Sequence, residues 1–409
     1  MGELGIRKIL KILFPEKEKY HFRVEKLEQF SSEINHVAFY TPFLTLLLLS
    51  FLLTFFLNNW LNFFVLYASI ISVYTIILFK KNSYELWSVA ILAIVYRVIP
   101  LFSSSVLLST DILQYEHFGT KILEGLIPYR SFAASYPPLS LYVTVPFVMI
   151  GDLRFLKALF SLCDVVIVFI VYKIFLKEAK NAKTILMLLL FFPVSLVEYS
   201  ISGHNDSLTV ILLIASLTLL DKRVAVSSAL MALSILCKIF PIILVPFVIK
   251  HLYSKSKKSV LLFLSILITV LSVVSFPFIL FSWEGYISMI IGLTRYSVPY
   301  GVITSLLYPL IDFTYSSILF SHLLAIILLI EFCALVFLVS SRRKWPLMKS
   351  CSVCLLFLPL FLPQFHPWYL LWALPFMMTY SSNNLKLMRG YMLFFLFSHI
   401  LYYLLFSFN

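Results

Sequence analysis

SVLLFLSILITVLSVVSFPFILF, residues 259–281, runs without a single charged side chain. A stretch of about 20 such residues crosses the hydrocarbon core of a bilayer as one helix, closing its backbone hydrogen bonds within itself. Comparable runs recur near 40–57, 62–79, 86–101, 154–176, 184–201, 207–220, 224–237, 239–249, 317–340, 350–362, 368–380 and 390–407. Composition agrees with this reading. Of 409 residues, 61% are hydrophobic and 12% charged, and the mean hydropathy is +0.98, whereas a soluble domain carries about 25% charged residues. So much apolar surface exceeds what a single water-soluble core can bury. The chain is expected to be an all-α integral membrane protein, a bundle of about 11–13 spans with outer-face loops and re-entrant or interfacial helices.

Charge sets the expected orientation. The net charge of +13 could suggest a nucleic-acid partner. The basic residues instead fall in short clusters between apolar runs, where they act as topology signals, so nucleic acid is not expected. Residues 1–38 mix charged and apolar side chains without a signal-peptide core, and are expected to lie at the cytoplasmic interface. The spanning domain then covers 39–409. The segment 137–150 is apolar but short and opens with Pro137-Pro138. Placing it on the outer face puts Lys173, Lys177, Lys180, Lys183, Lys222-Arg223, Lys250 to Lys258, Arg342-Arg343-Lys344 and Lys386 to Arg389 all inside. A first outer loop of about 102–153 follows, and polar or Pro-rich stretches at 103–136, 202–206, 282–300 and 363–368 share that outer face. The protein would then sit in the cell membrane or the endoplasmic reticulum, with its chemistry on the outer or luminal side. The five cysteines lie in apolar runs and read as packing residues, although Cys351 and Cys354 have the spacing of a redox or metal pair.

The outer segments hold the candidate chemistry. Asp111, in Ser109-Thr110-Asp111-Ile112, could accept a proton from a hydroxyl or could simply cap the helix that starts at Ile112. Tyr129 and Arg130 follow a Gly–Pro turn. His204, Asn205 and Asp206 sit with Gly203 between two apolar runs, and Asn205 or Asp206 could likewise serve as a cap. Lys238 interrupts a long apolar stretch at a cost of about 2.5–3.5 kcal/mol if it lay at a helix centre. Either a tight hairpin carries it to the outer face or it meets an anion. Gln364 and His366 occupy the Pro-rich segment Pro363-Gln364-Phe365-His366-Pro367-Trp368-Tyr369, with Arg295 on a further outer loop. Arg130, Arg295, Lys238 and His366 together could hold a phosphate. Asp164, Glu198 and Glu331 read as packing or boundary groups. Neither a Walker A motif nor a dinucleotide fingerprint occurs, and only 10 glycines are available to build one.

The order of these motifs resembles the GT-C glycosyltransferases, multi-span enzymes that use polyprenyl-phosphate sugars. Thr110-Asp111-Ile112 with Gly125, Pro128-Tyr129 and Tyr136-Pro137-Pro138-Leu139 is similar to their first luminal loop. Gly203-His204-Asn205-Asp206-Ser207, Lys238-Ile239-Phe240-Pro241 and Gln364-Phe365 to Pro375 follow in the same order. Among these enzymes the likeness is strongest to the catalytic subunit of GPI mannosyltransferase I and its prokaryotic relatives. The resemblance covers about residues 86–380, leaving out the first two spans and the N-terminal segment. It implies inverting transfer of a hexose, mannose by analogy, from a dolichyl- or polyprenyl-phosphate donor to a lipid or lipid-linked glycan acceptor. Asp111 would be the general base; Lys238, His366 and Arg295 would hold the donor phosphate. Asn205, Asp206, His204, Arg130, Tyr129 and Gln364 would support the acceptor and the site, and a small partner subunit is possible. The family's acidic pair is incomplete here, because Leu113 stands at its second position. A divalent metal is therefore doubtful, with Glu116 the only nearby substitute. A lipid or sugar transporter and a non-catalytic membrane scaffold are the alternative readings.

Overall fold

A computed structural model of the chain describes scattered positions between 67 and 101, then 111–291 apart from 178 and 180, and 315–362, 365–381 and 384–406. The N-terminal segment, most of the first three expected spans, Arg295 and Gln364 lie outside the described residues. Within them every regular element is a helix: α1 (Asp111–Leu123), α2 (Pro138–Ile150), α3 (Arg154–Leu176), α4 (Ala182–Ser202), α5 (Asp206–Leu219), α6 (Val224–Cys237), α7 (Phe240–Tyr253), α8 (Lys257–Ile291), α9 (Tyr315–Arg342), α10 (Leu347–Phe361), α11 (Leu374–Ser381) and α12 (Leu385–Phe406). Residues Pro367–Trp372 form a 3-10 segment between α10 and α11. The 137–150 stretch is a helix of 13 residues, shorter than a perpendicular span needs, as its sequence suggested.

Four of the helices, α3, α4, α8 and the Leu323–Arg342 part of α9, are long and apolar enough to cross a membrane on their own. They divide by environment. α4 is almost wholly enclosed by the bundle, whereas α8 and α9 leave most of their apolar residues uncovered. Leu261, Val273, Phe276 and Ile330 on these two helices are exposed. Large apolar side chains facing outward along whole helices mark a lipid-facing wall.

Small hydroxyl residues let neighbouring helices approach closely, as they do in membrane bundles. Ser216 donates to the Ser227 carbonyl and Ser234 to the Thr209 carbonyl, both at 2.7–2.9 Å, which fixes α5 and α6 as an antiparallel pair. Ser228 donates to the Phe263 carbonyl and ties α6 to α8. Deep in the bundle Arg97 pairs with Asp164 of α3 at 2.5 Å and donates to the Leu190 carbonyl of α4. Asp164, read from the sequence as a packing or boundary group, is the buried partner of Arg97.

Up-and-down connectivity follows from the short turns and places the site. The starts of α3, α5 and α7 and the ends of α4, α6 and α10 meet at one end of the bundle. The basic turns at Lys222-Arg223, Lys250 to Lys258 and Arg342 to Lys344 lie at the other.

Candidate active site

Asp111 is the first residue of α1, and α1 is held down on α2 by a close contact. A Cβ at Gly119 would fall 2.5 Å from a methyl of Val148, so any larger residue there would force Val148 to shift. The Asp111 side chain keeps 23% of its surface exposed. Its Oδ2 accepts a hydrogen bond from the Tyr136 hydroxyl at 2.5 Å and lies 3.1 Å from His204 Nδ1. Helix α1 therefore begins at a group that could have been a bare cap but is instead tied to two other elements.

His204 reaches Asp111 because α4 ends abruptly. Its last turns are wound as a π-helix from Leu196 to Ser202, and Gly203 closes it with φ +78°. A side chain at Gly203 would crowd Lys157 and Ile112 at 3.1–3.2 Å as well as strain the left-handed backbone. On its other edge His204 Nε2 sits 3.0 Å from Glu198 Oε2. Glu198 in turn receives His399 Nε2 at 2.5 Å and the Tyr403 hydroxyl at 3.0 Å, both on Oε1. His399 Nδ1 lies 2.6 Å from the Tyr67 hydroxyl. Acids and histidines thus alternate from the partly exposed Asp111 to His204, Glu198 and His399, which are buried.

A second polar knot forms beside the first. Asp206 Oδ1 accepts from Lys238 Nζ at 2.6 Å and from Trp372 Nε1 at 2.5 Å, and the carboxylate is wholly buried. Lys238 Nζ also lies 5.7 Å from the ring centres of both Tyr369 and Trp372. Trp372 stacks on Phe240 at 4.0 Å. Lys238 stands at the break between α6 and α7, and of the two explanations its sequence offered the structure supplies the anion. Asn205 Nδ2 donates to Ser140 Oγ at 2.8 Å, and Ser140 donates to the Cys237 carbonyl at 2.6 Å, locking α2 to this turn. Asp206 Oδ2 and Asn205 Oδ1 are buried with no hydrogen-bond partner among the described residues. Buried acceptors are rarely left unsatisfied, so each calls for a donor from substrate or water.

His366 joins the site through an aromatic stack. Its ring lies on Trp368 at 4.2 Å, and the opposite neighbour of Trp368 in the stack is His204 at 4.6 Å. His366 Nδ1 also approaches the Tyr402 hydroxyl at 3.3 Å. A cavity of about 400 Å³ opens between α7, α8, α9 and α10, walled by Ile243, Met289, Ile326, Leu358 and Phe361. Its polar end carries Lys238, Ser135 and Tyr136, and Tyr136 is the residue that donates to Asp111. One tyrosine therefore links the apolar cavity to the carboxylate.

Asp111, His204, Asn205, Asp206, Lys238 and His366 are brought together. Tyr129 is near, its hydroxyl donating to the Tyr136 carbonyl at 2.6 Å, and it supports the site from behind. Its backbone adopts φ +67°, and a Cβ at Gly285 of α8 would sit 2.1 Å from its carbonyl oxygen. Arg130 is exposed in the same turn, and its side chain has no partner among the described residues. The acidic pair does not fit a metal ion. Leu113 faces outward, and Glu116 is exposed about 140° around α1 from Asp111. No three His, Cys, Asp or Glu side chains among the described residues converge on a point suited to one. The cysteines are free and packed in the bundle as their sequence setting suggested, and the near sulfur contact of Cys354 is Cys333 at 3.9 Å, not Cys351.

Glu198 and His399 were missed as site residues. An acid and a histidine inside apolar runs are functional suspects, but 201 residues separate them, and nothing local pairs them.

The histidine at the centre of the line gives a pH prediction. Burial alone would lower the His204 pKa, yet the adjacent Asp111 and Glu198 carboxylates outweigh it and raise the value from 6.5 to about 9. The stability this charge contributes is fully present below pH 6.5 and is lost as pH rises through about 9. The melting temperature of purified protein in detergent is expected to fall between pH 7.5 and 9.5, and His204→Gln is expected to flatten that decline. An unchanged slope in the variant refutes the assignment.

A helical bundle with several helices long and apolar enough to cross a membrane, gathering a carboxylate, a buried lysine and an apolar cavity at one end, belongs to the class of polytopic membrane proteins. Residues 134–363 match the family Glycosyltransferase family 87, more than half of the chain, and the chain belongs to that family. It is a membrane glycosyltransferase, and the GT-C-type resemblance read from the sequence holds at this level. The match begins downstream of Asp111 and ends before His366. GPI mannosyltransferase 1 of Dictyostelium discoideum is 31% identical over 139 residues, 32% of this chain and 31% of that protein. The chain thus matches about a third of the length of that curated relative. No solved structure gives a match.

Proposed function

We propose that the protein transfers a hexose, mannose by its likeness to GPI mannosyltransferase 1, from a dolichyl- or polyprenyl-phosphate donor to a lipid or lipid-linked glycan. The observation that carries this reading is the apolar cavity of about 400 Å³ with Lys238 at its polar end and Tyr136 bridging to Asp111. A prenyl chain suits the walls, and a phosphate suits the lysine. His366 and Arg295 would complete the phosphate site from the other two outer segments.

The step is a single displacement with inversion. The acceptor hydroxyl oxygen attacks the anomeric carbon, the bond from that carbon to the phosphate oxygen breaks, and its electron pair leaves on polyprenyl phosphate. The hydroxyl proton passes to the Asp111 carboxylate. Negative charge grows on the departing phosphate, where Lys238 stabilises it. Asn205 Oδ1 and Asp206 Oδ2, the unpaired buried acceptors, receive hydroxyls of the bound substrates. The site would face the outer or luminal side, since the basic turns lie at the opposite end of the helices. No nucleotide takes part, and no step passes through a metal.

The test is a donor assay on purified full-length protein in nanodiscs. Radiolabelled polyprenyl-phosphate mannose and its glucose counterpart are offered separately, with a lipid extract as acceptor. Transfer from the mannose donor is expected. Transfer from the glucose donor alone would change the sugar assigned, and no turnover of either by folded protein would overturn the reading.

A further inference from the structure

We propose that the end of the bundle opposite the active site carries a binding site for a phosphate headgroup of net negative charge, centred on Lys250 and Lys344. A cavity of about 230 Å³ lies there between the end of α7 and the turn joining α9 to α10. Ser254, Ser341 and Ser350 line it with hydroxyls, and Phe247 and Leu347 form its apolar walls. No carboxylate lines it.

Two cations from different elements converge on this cup. Lys250, half-buried at the end of α7, spends one N–H on Ser340 Oγ at 3.2 Å. Lys344 is exposed, adopts φ +50° in the tight α9–α10 turn, and has no side-chain partner among the described residues. The surrounding balance is also positive. Asp221 is the adjacent acid, and it is engaged by His251 at 2.8 Å and Lys255 at 2.7 Å. Arg342, Arg343 and Lys349 crowd the same turn, with Lys349 4.4 Å above the Trp345 ring. Two lysines facing hydroxyl donors with no lining acid make a receptor for a phosphate anion.

The position favours a lipid as its source. The cup lies at the end of the membrane-crossing helix Leu323–Arg342, and Trp345 beside it is a residue typical of the bilayer interface. It is distinct from the catalytic cavity, because α7 alone separates Lys238 from Lys250 by about 20 Å at 1.5 Å per residue.

The experiment measures binding and does not depend on the proposed transfer. Full-length protein in neutral detergent is titrated with phosphatidylglycerol and with phosphatidylcholine, and retained lipid is counted by native mass spectrometry. Phosphatidylglycerol is expected to be held preferentially, and the double variant Lys250→Gln/Lys344→Gln to bind it about thirtyfold more weakly. Lys344→Gln alone removes only an exposed side chain and is expected to weaken binding about fivefold. It decides the matter should the double variant fail to fold. A parallel titration with inorganic phosphate separates the sources: tight binding of phosphate that displaces the lipid assigns the same cup to a soluble phosphate. Equal retention of both lipids by wild type, or unchanged retention in folded variants, overturns the site.

Discussion

Asp111→Asn is expected to lower the rate of sugar transfer by about a thousandfold while leaving the protein folded, within the range of 10² to 10⁴ ascribed to a general base. The substitution keeps the shape of the side chain, and its amide oxygen can still accept from the Tyr136 hydroxyl that now reaches Oδ2 at 2.5 Å. What is lost is the ability to take a proton. His204 keeps its contact with Glu198 at 3.0 Å, so the rest of the line remains in place. Steady-state transfer from polyprenyl-phosphate mannose, with melting temperature as the folding control, measures the effect. A variant within tenfold of wild type would show that Asp111 serves α1 as a helix start and not the chemistry. Tyr136→Phe provides the companion measurement. It removes the hydrogen bond but not the carboxylate, and a loss well short of that for Asp111→Asn is expected.

The largest expected effect on stability belongs to Lys238. The Lys238 and Asp206 pair is buried, with 11% and 0% of the side chains exposed. Removing one member strands the other, which typically costs about 3–5 kcal/mol. Lys238→Met is therefore expected to lower the melting temperature sharply, because the buried Asp206 Oδ1 would keep Trp372 alone as its donor among the described residues. The double variant Lys238→Met/Asp206→Asn leaves no unpaired charge and should regain most of that loss. Transfer should stay low in both variants, since each lacks the cation at the head of the apolar cavity. Thermal unfolding of the two single and the double variant closes the cycle. If the losses of the single variants simply add, the two groups are not coupled and the geometry described above does not govern stability.

These two residues show different routes from sequence to site. Lys238 was conspicuous because a lysine in an apolar run must be compensated, and that cost is local. The compensating anion was not local: Asp206 lies 32 residues earlier in the chain, and its candidate role as a helix start was equally consistent with the sequence. Asp111 was conspicuous by its position at the edge of a span. Its partner His204 stands 93 residues away and reaches it only because Gly203 turns the chain at the end of a π-wound segment. Arg130 shows the converse, a cation in a plausible outer segment that the folded turn directs into solvent.

By itself the sequence determined that the chain is a helical membrane protein and where most of its described helices begin and end. Those properties follow from hydropathy, proline and glycine punctuation and charge clustering, which act over a few turns of chain. It also carried, in the order of its motifs, the resemblance to a glycosyltransferase. Only the tertiary structure decided that Asp111, His204, Glu198 and His399 form one line, that Lys238 is neutralised by Asp206, and that an apolar cavity ends between them. Hydrogen bonds and ion pairs select partners by distance and direction in space, and helices in a bundle present those partners from segments that sequence spacing does not relate.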